Sequence, residues 1–242
     1  MVIKRPQPIA EQVLSLLRTR IRNREFGDGR LPSESELAVE LGVSRATLRT
    51  ALVKLGAEGL VIRKQGDGTY VNQRILDVHN HLGEIWEFTR LIRGAGYEPS
   101  ILPLRILQRP AAEHEAEALG IDPLDEVVSI NRLFLADDKP VVLSENIISS
   151  GLICQDQMDL DASFSLHEFM EMYCGQSVGY AIANISCLLA TTELADTLRV
   201  KPGFPLLHFV ETFYNKSEQP LVYANNYYND KVIELRLIRS WG

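Results

Sequence analysis

The sequence predicts an α+β protein in two unequal units: a small one over residues 1–72 and a larger one over 81–242, joined by a linker at 73–80. Three observations carry this division. Charge is split, with 13 Lys/Arg against 8 Asp/Glu in residues 1–74 (+5) and 12 against 24 beyond (−12), giving the net −7 of the 242-residue chain. Helical periodicity fills the first sixty residues and ends in a short alternating stretch around an Asp-Gly turn. Beyond residue 100, a strand–helix–hairpin segment occurs twice.

In the first unit, PIAEQVLSLLRTRIRNREF starts at Pro8 and repeats apolar residues at Ile9, Val13, Leu16, Leu17 and Ile21, the pattern of an amphipathic helix with a wet arginine side. FGDGR breaks it. LPSESELAVELG opens on an S-x-x-E capping box, Ser33 and Glu36, and stops at Gly42. Ser44 then caps a third helix whose Leu48, Ala51, Leu52 and Leu55 form the core stripe. Its outer face is small, hydroxylic and cationic, with Ala46, Arg49 and Thr50 opposite the stripe and Arg45 in the first turn. Two helices joined this tightly make a helix-turn-helix. LVIRK and TYVN, around QGDG, add the hairpin that makes it winged. Basic charge on such a module predicts double-stranded DNA as its partner.

RLPSESELAVELGVSRATLRTALVKLGAEGLVIRKQGDGTYV resembles the DNA-binding domain of the GntR family of bacterial transcription regulators, almost without gaps from residue 8 to 72. The resemblance implies that Arg45 reads a guanine edge, where an arginine can bond O6 and N7 together. It places Thr47 and Arg49 on base or backbone, Ser33 and Thr50 on phosphates, Ser44 at the helix start, and Gln65 and Gly66 of the wing near the minor groove. Many members carry arginine after PSE, where this chain has Ser35, so the operator sequence is not simply transferable.

In the second unit, the segment from Ala116 aligns with that from Ala195, at an offset of 79 residues before the hairpin turn and 80 after it. Each copy has a helix end, a strand, a polar turn closing on Pro140 or Pro220, and a second strand; each follows a strand and a short acidic helix. The expectation is a mostly antiparallel six-stranded sheet with helices on one face, duplicated about a pseudo-twofold axis. Under the alignment Arg132 corresponds to Glu211, and Glu145 to Asn225. A buried charge is costly unless paired, so Arg132 either pairs with Glu211 or meets an anionic ligand.

EFTRLIRGAGYEP, INRLFLADDKPVVL, SLHEFME and PLVYANNYY resemble the UTRA effector domain of the HutC-type branch of the same family, a domain that shares its fold with chorismate lyase. The resemblance covers roughly residues 78–238 and implies a small-metabolite site, often for a sugar phosphate, on Thr89, Arg132, Ser165 and Tyr228, with Glu145 near an acidic position. Phe134 stands where a second arginine is common, His167 where a tyrosine is, and Ser144 where an acid is. Losing a cation turns the expectation from a sugar phosphate toward a carboxylate, an amino sugar or another singly anionic metabolite.

The reading that results is a ligand-responsive repressor, homodimeric because twofold proteins match palindromic sites, released from its operator by a small metabolite. A regulator whose second unit only dimerises is the alternative. An enzyme is not expected, since no nucleophile–base pair or metal constellation stands out, nor is a cofactor or metal. Cys154, Cys174 and Cys187 show no CxxC spacing and read as buried or idle thiols. No apolar run approaches the roughly 18 residues of a membrane span, and MVIKRPQPIA lacks a signal-peptide core, so the expected location is the cytoplasm.

Overall fold

The computed structural model describes residues 8–76, 87–154 and 160–236. The described residues form two compact units, 8–76 together with Arg236, and 87–235.

The first unit runs α1 (Ile9–Arg22), α2 (Glu34–Glu40), α3 (Arg45–Ala57), β1 (Val61–Lys64), β2 (Gly68–Val71) and α4 (Gln73–Leu76). Val13, Leu14, Leu17 and Ile21 of α1 bury one stripe against Leu37 of α2 and Leu48, Leu52 and Leu55 of α3. The starts of α2 and α3 follow from their caps. Ser33 Oγ accepts from Glu36 N at 3.2 Å while the Glu36 carboxylate accepts from Ser33 N at 2.8 Å. Ser44 Oγ accepts from Thr47 N at 3.1 Å. Between them Gly42 takes φ +62°, a left-handed turn that costs glycine little. Strand β1 pairs antiparallel with β2 from Val61↔Val71 to Lys64↔Gly68.

Part of the expected linker is not a linker. Gln73–Leu76 form the short α4, whose Ile75 and Leu76 pack against the first unit's core. Gly59, at φ +73°, makes room, for a Cβ there would lie 2.7 Å from Ile75 Cδ1. Residues 77–80 of that linker, and the start of the helix expected from His81, fall outside the described residues.

The second unit runs α5 (Phe88–Gly94), β3 (Pro99–Pro110), α6 (Glu113–Leu119), β4 (Glu126–Ala136), β5 (Lys139–Ser149), α7 (Leu166–Cys174), β6 (Tyr180–Leu189), α8 (Thr192–Leu198), β7 (Pro205–Tyr214) and β8 (Pro220–Tyr228). Its six strands lie in the order β3-β4-β5-β8-β7-β6, every neighbouring pair antiparallel. The duplicated segments are therefore β3-α6-β4-β5 and β6-α8-β7-β8, meeting at β5 and β8. Glu145 pairs directly with Asn225, its counterpart in the other copy, so the pseudo-twofold axis passes through that pair.

Helices cover both faces of the sheet, not one. Alternation along the strands puts Phe134, Val142, Phe209 and Tyr228 under Leu91 and Ile92 of α5, and Ile130, Val222 and Phe213 under Phe169 and Met170 of α7. The opposite face packs Val127, Ile147 and Tyr223 under α6, and Leu133, Leu135 and Leu206 under α8. The cause is in β4, where nine of eleven residues are buried whichever way they point. A strand apolar on both sides needs cover on both.

Candidate functional site

Two surfaces carry the polar chemistry. On the first unit, Ser44, Arg45, Thr47, Arg49 and Thr50 all lie in the capping residue and first two turns of α3. The arginines are exposed but engaged. Arg45 Nη2 donates to Ser35 Oγ, and Arg49 donates to Glu34 Oε2 at 2.9 Å. Arg63 of β1 reaches the other Glu34 oxygen. Arg49, with Arg63 and Arg45 near, holds the Glu34 carboxyl below the usual carboxylate range. The two threonines spend their hydroxyls locally: Thr47 bonds Ser44 Oγ at 2.8 Å, and Thr50 donates to Ala46 O at 3.1 Å. Ser33, Gln65 and Gly66 share a cleft of about 730 Å³ between the start of α2 and the wing, with Arg30, Arg63 and Lys64. Lys64 Nζ sits 4.2 Å from the Tyr70 ring centroid. Glu34, Arg63 and Lys64, which line this surface, were not among the expected site residues; they stand in LPSE and as the two consecutive basic residues that close LVIRK.

On the second unit, a row of polar residues crosses the sheet beneath α5 and α7. Register places Arg132 opposite Ser144, Ser144 opposite Asn226, and Glu211 opposite Ala224, so Arg132, Ser144, Asn146, Asn226 and Glu211 share one face. Arg132 is 1% exposed. Its guanidinium donates to Phe164 O at 2.5 Å and to Asn146 Oδ1, and among the described residues Nε has no partner. Burial pushes its pKa down to about 10, and no carboxylate among the described residues offsets it. Glu211, 9% exposed, accepts from Asn226 Nδ2 at 2.6 Å. Burial lifts its pKa to about 7. Asn226 Oδ1 and Ser144 Oγ are buried without partners. Unsatisfied polar atoms this deep are uncommon in folded proteins and call for an explanation.

Arg132, Asn146, Asn226 and Glu211 of the row line a narrow cavity of about 10 Å³ with Phe88, Ser165 and Phe213. That cavity shares Glu87, Leu166 and Phe213 as walls with a wider cleft of about 280 Å³, which adds Arg90, His167, Val178 and Gly179.

Comparison with known proteins decides the family. The model described as "Bacterial regulatory proteins, gntR family" matches residues 9–71, and the UTRA domain model matches residues 94–233. The HTH-type transcriptional repressor NagR of Bacillus subtilis is 30% identical over 224 residues, covering 92% of this chain and 91% of NagR. The chain belongs to the GntR family, in the branch that carries a UTRA domain. MngR of Escherichia coli, the repressor of a mannosyl-D-glycerate transport/metabolism system, is 26% identical over 235 residues, 96% of each chain. Two solved structures share the fold: YydK of Bacillus subtilis, with TM-score 0.73 at 17% identity over 96% of this chain and 99% of YydK, and PhnF of Mycobacterium smegmatis, with 0.62 at 20% over 94% and 99%. This chain is thus a transcriptional regulator and not an enzyme, with a DNA-binding unit and a small-molecule effector unit.

Within this GntR-family regulator the residues expected at the effector site separate. Arg132 and Ser165 meet at the narrow cavity, and His167 stands at the wider cleft, 3.5 Å from Glu171. Ser165 also caps α7, its Oγ accepting from Glu168 N at 3.3 Å. Thr89 is half-buried on α5 and lines neither cavity. Tyr228 shares the Arg132 face but is packed between Phe88 and Phe209, with ring centroids 5.6 and 4.7 Å away. Glu145 is a correction. It projects from the opposite face, where it accepts from Ser129 Oγ at 3.2 Å, so it cannot join Arg132 in one pocket. Nor does Arg132 pair with Glu211. Asn146, Asn226 and Glu211 were missed as site residues; their signal was the repeat itself, which makes Asn146 and Asn226 counterparts. Among the described residues no cluster could hold a metal ion, and no helix is long and apolar enough to cross a membrane. Of the three free cysteines Cys174 is buried and Cys154 and Cys187 are exposed.

Proposed function

We propose that this regulator binds a palindromic operator as a homodimer and is released when a small anionic metabolite occupies the pocket under α5 and α7. The observation that carries the reading is Arg132: a fully buried guanidinium with an unpartnered Nε and no counter-charge. A cation kept this far from water without a carboxylate is destabilising unless an anion joins it. The cavity at Arg132 is only about 10 Å³, but it shares the Glu87, Leu166 and Phe213 walls with a cleft of about 280 Å³, so the bulk of a small metabolite would occupy that cleft; ligand pockets usually start near about 300 Å³. Relatives whose names point to mannosyl-D-glycerate and to fructoselysine are consistent with carboxylate-bearing sugar derivatives. On the DNA side, Arg45 reads a base edge, Arg49 and Thr50 hold the backbone, and Ser33, Gln65 and Gly66 meet the adjacent strand.

The test uses Arg132→Met. Gel shifts should show unchanged operator binding without ligand and loss of ligand-induced release. The melting temperature should hold or rise, since a desolvated charge has been replaced by a side chain of similar length. Release that persists in the variant refutes the site.

The dimer is expected at β6. The two sheet edges differ in how they are guarded. Strand β3 carries Pro99, Pro103, Pro110, Arg105, Arg109 and a bulge near Pro103, devices that discourage edge pairing. Strand β6 has no such device: no charged side chain occurs from Val178 to Thr192, and Ile182, Ile185 and Leu189 are 56%, 53% and 67% exposed. A second copy pairing antiparallel there satisfies both the edge and twofold symmetry. Light scattering should find Ile185→Lys monomeric and weaker on a full palindrome; a dimer that survives this change together with Asn184→Pro places the interface elsewhere.

A further inference from the structure

The polar row is symmetric in position and antisymmetric in charge. From β4 to β7 it reads Arg132, Asn146, Asn226, Glu211, and the repeat makes Arg132 the counterpart of Glu211 and Asn146 that of Asn226. Each outer charge bonds the asparagine beside it. Asn146 accepts from Arg132 through Oδ1, while Asn226 donates to Glu211 through Nδ2. The outer residues stand on strands three spacings apart, about 14 Å between backbones at about 4.8 Å per spacing. That span explains why the two charges do not form a direct ion pair while each holds its own asparagine. Among the described residues three buried polar atoms of this face have no partner, Arg132 Nε, Ser144 Oγ and Asn226 Oδ1, and Glu211 accepts one side-chain bond, from Asn226. The set has a donor at Arg132, a hydroxyl that can donate or accept at Ser144, and acceptors toward Glu211.

We infer that the effector is dipolar, with a carboxylate or similar anionic group at Arg132 and an ammonium at Asn226 and Glu211, in the manner of an amino acid or amino-sugar acid. The inference rests on the effector-site reading above and adds the second pole. A simple anion would settle Arg132 and leave Glu211 uncompensated. A simple amine would do the reverse, and a neutral polyol would settle neither. A dipolar ligand supplies both counter-charges and reaches the open positions at both ends. The carboxyl that burial holds near pKa 7 is poised to ionise when a cation arrives beside it. Glu211 is then the residue that sets which anions are accepted, and Asn146 and Asn226 keep the two poles apart.

Matched probes test this on the full chain by thermal shift and calorimetry: gluconate against glucosaminate, 4-hydroxybutyrate against 4-aminobutyrate, and glucosamine as the amine alone. Each amino acid should bind about tenfold or more tightly than its hydroxy partner, the change one charged contact supplies, and glucosamine should not bind. Glu211→Gln should bring the amino-to-hydroxy ratio to about one, and Arg132→Met should remove binding of both members of each pair. Circular dichroism of the variants confirms that they fold. Equal affinities within each pair, or a ratio that Glu211→Gln leaves intact, overturns the dipolar inference while the effector site stands. If no probe binds the wild-type chain, or if binding is insensitive to Arg132→Met, the effector-site reading fails and the inference falls with it.

Discussion

The two units use arginine in opposite ways. On the first, Arg49 and Arg63 are 63% and 60% exposed at the side chain and share one carboxylate, Glu34. On the second, Arg132 is buried and has none. Exposed ion pairs are worth about 0–1 kcal/mol, so a DNA phosphate or guanine can replace Glu34 at small cost while Glu34 keeps the fork oriented beforehand. A buried, unpaired guanidinium has no such substitute in the fold. It depends on what enters the pocket. Under the proposed function the same side chain serves rapid exchange with a polymer on one unit and selective capture of a small molecule on the other.

The largest effect expected from this contrast is on stability against pH, and it belongs to Glu211. Its folded pKa, about 7, lies above the ordinary 4.5, so the native state holds the proton more tightly than the unfolded chain. That contribution is fully present below pH 4.5 and is lost as pH rises to about 7, beyond which it stays flat; 2.5 units correspond to about 3 kcal/mol as an upper bound. Chemical denaturation across this window should find Glu211→Gln, which mimics the protonated carboxyl, close to the wild type below pH 4.5 and increasingly the more stable of the two toward pH 7. Parallel curves would mean that Glu211 is solvated, and the contrast between the units would weaken.

Next in size is Arg45→Ala, expected to cost about 1–3 kcal/mol on the specific half-site with little loss on random DNA. Gel shifts at fixed salt on both sequences read the ratio; equal losses would demote Arg45 to a backbone contact. Smallest is Glu34→Gln, which frees Arg49 and Arg63. Affinity for any duplex should rise by less than about 1 kcal/mol, with a steeper salt dependence. Weaker binding instead would show that Glu34 orients the arginines more than it competes with DNA.

Much of the first unit was legible in the chain because its signals are local. The Ser33 capping box, the Ser44 cap and the left-handed Gly42 each act within four residues, and the structure has all three. Even so, QRIL at 73–76 reads as linker from the sequence, being too short to show a period, whereas in the structure it is the short α4 with Ile75 and Leu76 packed on the first unit's core. In the second unit, the repeat foretold six strands and the equivalence of Arg132 and Glu211, while the burial of β4 on both faces, and so helices on both sides, was not read from its run of apolar residues.

What the sequence by itself determined is therefore most of the elements, their order and the duplicated polar positions, since periodicity, caps and a 79–80 residue repeat are properties of the chain. Which side each polar residue faces was decided by tertiary structure. In β4–β5 the register moves from Leu135↔Pro140 to Phe134↔Val142, a bulge of one residue, and β7–β8 repeats it between Phe213↔Val222 and Tyr214↔Pro220. Without the first bulge Arg132 would face Leu143 and share a side with Glu145; with it, Arg132 faces Ser144 and joins Asn146. Side chains alternate with period two, so one inserted residue exchanges the faces of everything beyond it. Hairpin backbone geometry, rather than residue identity, chose which polar groups Arg132 keeps company with.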